Sequence, residues 1–287
     1  MSKAQTIRDL LTGKGILVMP GTYDCLSARI ASRAGFEVIF ITGYSLSASL
    51  LGEPDFGLLT QSEMLNAAQR ICHVTPLPVI VDADTGYGGA INVIRTVKEL
   101  IHAGAAGMFL EDQIWPKRCG HMKGKEVIPL EEYLRKLRAA IDAREGSDLY
   151  IVARTDARQA LGLDEAIRRG NAFKKAGADA VFIEAPQNKD EMRAIARHVP
   201  GPLVANMIER GVTPTMAPEE LKDLGFQLIV WPLSPIYACA QALKDVYSTL
   251  RRTGTTKETM DRLISFDEFH DIMGLHEKYA LDAKYKN

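Results

Sequence analysis

The chain is 287 residues long, 46% hydrophobic and 25% charged, with a formal net charge of −1. These values exclude a disordered or collagen-like chain and fit a folded domain with a substantial core. Basic residues are spread along the sequence, which leaves no electrostatic footprint for nucleic acid or an acidic membrane.

Runs rich in Val, Ile, Leu and Phe predict strands at 16–19, 38–41, 78–81, 107–110, 149–153, 180–184, 202–205 and 227–231. Between them lie segments with helical apolar spacing, among them "DCLSARIASRAG", "NVIRTVKELIHAG", "LEEYLRKLRAAIDAREG" and "LDEAIRRGNAFKKAG", several closing on Gly after a basic last turn. Apolar strands alternating with amphipathic helices predict a parallel sheet covered on its outer face. Eight such units predict an α/β chain of the closed (β/α)₈ type rather than an open sheet. After the eighth unit, residues 236–280 hold two helix-like segments split by "RRTGTT", one helix more than a barrel needs. The expectation is a single domain, 1–287, with a C-terminal helical extension from about 236 to 287 that packs on another subunit.

No apolar run approaches the roughly 20 residues that cross a bilayer. The start, "MSKAQTIRDLLTGKG", lacks a secretory apolar stretch, so a cytoplasmic protein is expected. Cys25, Cys72, Cys119 and Cys239 form no CxxC pair and read as free thiols in a reducing compartment. All but Cys119 sit among apolar neighbours and read as small buried hydrophobes.

Barrel enzymes carry their chemistry just beyond the carboxyl ends of the strands. Those positions read "TGYS" (42–45), "DADTGYG" (82–88), "EDQ" (111–113), "RTD" (154–156), "EAP" (184–186), "NM" (206–207) and "PLSP" (232–235). Asp82, Asp84, Glu111, Asp112 and Glu184 are predicted to converge there. Carboxylates so close repel one another unless a cation or protons intervene, and hard oxygen ligands favour Mg²⁺ or Mn²⁺. Arg154 and Asn206 would offer a bidentate partner and neutral donors for a small-molecule carboxylate, or Arg154 would pair with Glu184. No Walker loop or GxGxxG opens a helix, which argues against nucleotide cofactors. The segment "WPKRCGHMKGKEV" (115–127) puts a cysteine in a basic, glycine-containing loop with little apolar content, and a mobile loop is expected there.

Taken in order, "VDADTGYG", "LEDQ", "KRCGH", "ARTDA", "IEAP" and "ANM" resemble the isocitrate lyase and phosphoenolpyruvate mutase superfamily over about residues 15 to 270. "KRCGH" resembles its carbon–carbon lyase branch rather than the phosphonate mutases. The resemblance implies a (β/α)₈ barrel whose last helix is exchanged within a homotetramer, and Mg²⁺ as cofactor. It implies Asp82 and Asp84 as metal-site carboxylates, with Asp55 and Glu111 acting largely through water. It further implies Thr42, Gly43, Tyr44, Gly120, His121, Arg154 and Asn206 as substrate contacts and Glu184 as a supporting polar group. Cys119 would be the acid that protonates an enediolate after retro-aldol (retro-Claisen) cleavage, with His121 and nearby basic residues tuning it. The general base is left open between Tyr44 and a metal-held water, because Phe40 stands where some relatives offer a tyrosine.

Within the branch, methylisocitrate lyases resemble the chain but carry arginines where Tyr237 and Phe266 stand here. Losing both charges favours an alkyl group over a third carboxylate, as in 2,3-dimethylmalate lyases, whose substrate yields pyruvate and propionate. Pro235 stands at or beside a serine of the oxaloacetate hydrolases, which makes hydrolysis the lesser expectation. A catalytically silent barrel that senses an oxo acid is a third class, and an intact Cys119 with its acidic strand ends argues against it.

Overall fold

Period-two alternation along each apolar run decides which side chains fill the barrel and which meet the helices outside it. The computed structural model describes residues 2–286. In chain order it contains α1 (Lys3–Lys14), β1 (Leu17–Thr22), α2 (Cys25–Arg33), β2 (Ile39–Ile41), α3 (Gly43–Leu50), α4 (Gln61–Val74), β3 (Val79–Asp82), α5 (Ala90–His102) and β4 (Gly107–Glu111). There follow α6 (Leu130–Ala143), β5 (Tyr150–Thr155), α7 (Ala157–Leu161), α8 (Leu163–Ala176), β6 (Ala180–Ile183), α9 (Lys189–His198), β7 (Val204–Asn206), α10 (Pro218–Leu224), β8 (Leu228–Trp231), α11 (Ser234–Thr253), α12 (Phe266–Met273) and α13 (Leu275–Tyr285).

The strands are parallel in the order β6-β5-β4-β3-β2-β1-β8-β7. A parallel bridge between Val181 and Leu203 joins the two outer members, so the expected eightfold barrel is present and nearly closed. Leu17, Met19, Val38, Phe40, Ile80, Phe109, Tyr150, Val152, Ala180, Phe182, Val204, Leu228 and Val230 make one buried cluster, with Ala4 and Ile7 of α1 packed into it. Residues of the other parity, such as Ile39, Val79, Val81, Met108, Leu110, Ile151 and Val181, join the larger cluster with the helices. Every predicted strand is found, with ends that differ by at most three residues. β1 runs on through Pro20 and Gly21 to Thr22, because Pro20 stays in register with Trp231 and Gly21 with Phe40.

The chain divides into two compact units, Met1–Ser234 and Pro235–Asn287. The second is mainly helical, and "RRTGTT" breaks it after α11 as expected. A further break falls at Gly274, whose φ of 73° ends α12 in the left-handed conformation that glycine adopts without steric cost. Considered by itself, this unit exposes Tyr247, Met260, Phe266, Tyr279 and Leu281. Among the described residues no helix is long and apolar enough to cross a membrane.

Candidate active site

The polar residues predicted at the strand ends sit one inward step above the barrel's apolar layer. Phe40, Phe109, Phe182 and Val230 point inward, and two residues further along the same strands come Thr42, Glu111, Glu184 and Pro232. Asp82, Arg154 and Asn206 follow Ile80, Val152 and Val204 by the same step. A cavity of about 410 Å³, counting space open to solvent, lies here. It is lined by Thr42, Tyr44, Asp55, Asp82, Cys119, Gly120, Arg154, Glu184, Asn206, Pro232 and Leu233 over a floor that includes Phe40, Phe109, Phe182, Ile208 and Val230.

Parity also corrects one expectation. Asp112 follows Glu111 directly and therefore faces outward. It accepts from Thr155 Oγ1 at 2.6 Å, from Asp156 N–H at 2.9 Å and from Arg169 Nη1 of α8 at 2.7 Å. It supports the β5 turn and is no part of the converging acidic set.

Arg154 stands at the centre of the remaining charges. Its Nη1 is 3.1 Å from Glu111 Oε2, its Nη2 is 3.4 Å from Glu184 Oε2, and its Nε donates to Asp156 Oδ2 at 2.9 Å. Burial by itself would raise the Glu184 carboxyl, yet Arg154, His121 and Lys125 together hold it well below the usual range. Glu111 goes the other way: burial raises it well above its ordinary value, with Arg154 opposing. The same arginine thus faces two carboxylates shifted in opposite directions from their ordinary values.

In this structure the 115–127 loop is held over the cavity by polar contacts. Lys117 is only 3% exposed, with Nζ 2.7 Å from both Asp55 Oδ1 and Asp84 Oδ1. Gln113 Nε2 donates to the Arg118 carbonyl at 2.8 Å and Arg118 N–H returns to Gln113 Oε1 at 3.0 Å. Cys119 N–H donates to the Asp55 carbonyl at 3.2 Å. His121 Nδ1 accepts from Val212 N–H at 2.9 Å, which leaves the ring proton on Nε2, 3.3 Å from Glu184 Oε1. Lys117, Lys125 and Asp156 were not singled out from sequence. Asp156 repeats the parity of Arg154 and is readable from it; the lysines are expected only as basic residues near Cys119, without the carboxylates that bury them.

Burial and the nearby Asp55 carboxylate push the Cys119 thiol up to about 11, against the lowering influence of the His121 backbone and Lys117. A thiol so placed keeps its proton at neutral pH, the state an acid requires. The raised value favours the folded state below an ordinary thiol pKa of roughly 8.5, and that contribution fades as pH rises toward 11. Alkylation of Cys119 by iodoacetamide should therefore rise with a midpoint near 11, and an ordinary midpoint would contradict this placement.

The acidic strand ends fit a hard cation. Glu111 Oε1 is buried without a hydrogen bond, and the acidic groups around it, Asp82, Asp84 and Asp55, offer carboxylate oxygens. Asp84 takes φ 48°, a left-handed geometry that Asp tolerates, and its carbonyl accepts from Glu111 N–H at 2.9 Å. Gly43 leaves room between Asp82 and Asp84: a Cβ there would lie 3.3 Å from Asp82 Oδ2 and 3.4 Å from Asp84 Oδ1. The side chains do not stand as a preformed cluster, since among the described residues no three acidic, His or Cys groups converge closely enough to hold an ion. Lys117 occupies Asp55 and Asp84 instead. Burial, outweighing Lys117, raises the Asp84 carboxyl to about 7. The other expected residues, Pro235, Tyr237 and Phe266, fall in the C-terminal unit, whereas Leu233 and Ile208 supply apolar lining that was not foreseen.

Residues 7–251 match the family described as phosphoenolpyruvate phosphomutase. An Arabidopsis thaliana protein named carboxyvinyl-carboxyphosphonate phosphorylmutase, chloroplastic, is 52% identical over 97% of this chain and 83% of its own. The petal death protein of Dianthus caryophyllus is 49% identical (98% and 89% covered), and the 2,3-dimethylmalate lyase of Eubacterium barkeri 45% (99% of both). Among solved structures, 2,3-dimethylmalate lyase superposes with a TM-score of 0.93 at 36% identity, covering 99% of this chain and 95% of that one. Oxaloacetate acetylhydrolase bound to 3,3-difluorooxalacetate gives 0.94 at 37% (100% and 98%), and phosphonopyruvate hydrolase with oxalate and Mg²⁺ gives 0.90 at 32% (100% of both). With most of its length matched by the family and by relatives at this identity, the chain belongs to the phosphoenolpyruvate mutase/isocitrate lyase superfamily.

Proposed function

We propose that this protein is an Mg²⁺-dependent carbon–carbon lyase that cleaves a 2-alkylmalate, best fitted by (2R,3S)-2,3-dimethylmalate, into pyruvate and propionate. The observation that carries this reading is the placement of Cys119, half-buried, in the lining of a cavity that also holds the Arg154 guanidinium over an apolar floor. Arg154 is the one cationic side chain among the described residues lining that cavity. A third carboxylate would enter without a partner, and an unpaired buried charge is costly. Phe40, Ile208 and Leu233 suit alkyl groups instead.

Asp82, Asp84, Asp55 and Glu111 would hold the cation, and when bound it supplies Lewis acidity toward charge developing on the substrate oxygens. Arg154 and Asn206 orient a substrate carboxylate, with Thr42, Gly43, Tyr44 and Gly120 closing around it. A base, Tyr44 or a water in the cavity, takes the hydroxyl proton as the C2–C3 bond breaks; C2 becomes the keto carbon of pyruvate and the electron pair stays on C3 as an enediolate. Cys119 delivers its proton to that carbon, and Glu184 keeps His121 oriented beside the loop. Closure by the loop excludes water and strengthens each of these interactions.

Chelation by EDTA should abolish turnover and added Mg²⁺ restore it; full activity in metal-free enzyme would remove the cation from the account. The substrate is tested by lactate dehydrogenase-coupled detection of pyruvate, comparing 2,3-dimethylmalate with 2-methylisocitrate at equal concentration. Release from dimethylmalate alone supports the alkyl reading. Preference for methylisocitrate would contradict it, and oxalate from oxaloacetate, or phosphonate turnover seen by ³¹P NMR, would place the chain with other relatives. A homotetramer that buries the apolar faces of α11, α12 and α13 is also proposed, and a monomeric mass by light scattering would exclude it.

A further inference from the structure

The loop that carries Cys119 is fastened by an ammonium that the proposed chemistry does not use. Lys125 lies in the same loop, and its side chain is fully buried against an equally buried Asp156. Its Nζ donates to Asp156 Oδ1 at 2.6 Å and also to the carbonyl oxygen of Gly120. Asp156 receives Arg154 through both oxygens, Nε to Oδ2 at 2.9 Å and Nη2 to Oδ1 at 3.2 Å. Oδ1 is therefore shared between the lysine of the loop and the arginine of β5. From behind, the Asp156 N–H donates to Asp112, which Arg169 holds at 2.7 Å.

The consequence lies in what this chain of contacts joins. Gly120 is pressed so close to the Arg154–Glu184 pair that a Cβ on it would fall 2.6 Å from Arg154 Nη2 and closer still to the Glu184 carboxylate. The loop half before Cys119 is tied down through Lys117 and Gln113. Beyond Gly120 the loop has two ties to the barrel, His121, whose Nδ1 accepts from Val212 N–H, and Lys125, which reaches Asp156 just past β5, while a backbone bridge from Val127 to Gln113 reaches only the loop's own stem. A buried ammonium demands partners, so Lys125 can enter this position only when Gly120 and Asp156 are both in place to accept from it.

We propose that Lys125 is a positioning residue, a latch that closes the 115–127 loop and in the same event fixes Cys119 and Gly120 over the Arg154 guanidinium. This rests on the reading of Cys119 as the acid. Seating the acid a fraction of an ångström away from its target is enough to slow a reaction by orders of magnitude, whereas substrate affinity through Arg154 and the cation changes little.

The test uses the full-length protein and two variants, Lys125→Met and Lys125→Arg. With Lys125→Met, kcat should fall by about 100-fold while KM stays within about threefold. Alkylation of Cys119 by iodoacetamide without substrate, read by mass spectrometry on the Cys119 peptide, should accelerate by about tenfold as the loop opens. Lys125→Arg keeps the charge and should recover part of both, and it carries the test alone if the methionine variant does not fold. A lower melting temperature with wild-type alkylation and wild-type kcat would overturn the latch. Alkylation needs no substrate, so failure of the wild-type enzyme to cleave dimethylmalate would count against the lyase reading and leave the latch to be judged by labelling.

Discussion

Cys119→Ser should lower kcat for carbon–carbon cleavage by roughly 10³-fold, within the span of about 10² to 10⁴ that general acids contribute. A serine hydroxyl is a far weaker proton donor than a thiol, and the substitution deletes no charge and little volume. Pyruvate or oxalate should bind within about threefold of wild type by calorimetry, because Arg154 and the acidic strand ends are untouched. Loss of binding together with turnover would mean that the thiol holds the loop or the substrate rather than giving a proton.

The second large effect is expected at Arg154. Arg154→Met leaves Glu111, Asp156 and Glu184, each at most 1% exposed, without their shared cation. Breaking a buried ion pair by removing one partner costs about 3–5 kcal/mol, so urea unfolding should show a loss of that order along with loss of activity. In the native protein the depressed carboxyls of Asp156 and Glu184 contribute stability that is present above the ordinary carboxylate range and lost as pH falls. Without Arg154, Asp156 keeps Lys125 and Glu184 keeps His121, but Glu111 loses the cation that chiefly opposes its burial, and protonation relieves its charge. The destabilisation should therefore be smaller at pH 5 than at pH 8, and an equal loss at both would contradict the electrostatic account.

Much of this was legible because barrel strands obey a period of two. Once Ile80, Phe109, Val152, Phe182 and Val204 are taken as inward-facing, Asp82, Glu111, Arg154, Glu184 and Asn206 must share one chamber. The same rule excludes Asp112, which was first grouped with its neighbours by proximity in sequence alone. What sequence did not reveal is how basic loop residues become buried. Lys117 and Lys125 carry no apolar context, and only the fold brings Asp55, Asp84 and Asp156 to meet them. Ile208 and Leu233 also line the cavity, and neither stands out among strand-end polar residues.

The central claim is that an enzyme-held acid, Cys119, protonates the carbon freed by C2–C3 cleavage. The most direct measurement is to run 2,3-dimethylmalate with Mg²⁺ in D₂O and analyse the propionate by NMR and chiral derivatisation. The account predicts one deuterium at C2 in a single configuration. Propionate deuterated equally on both faces would mean protonation by free solvent, and absence of propionate would mean that this bond is not the one the enzyme breaks.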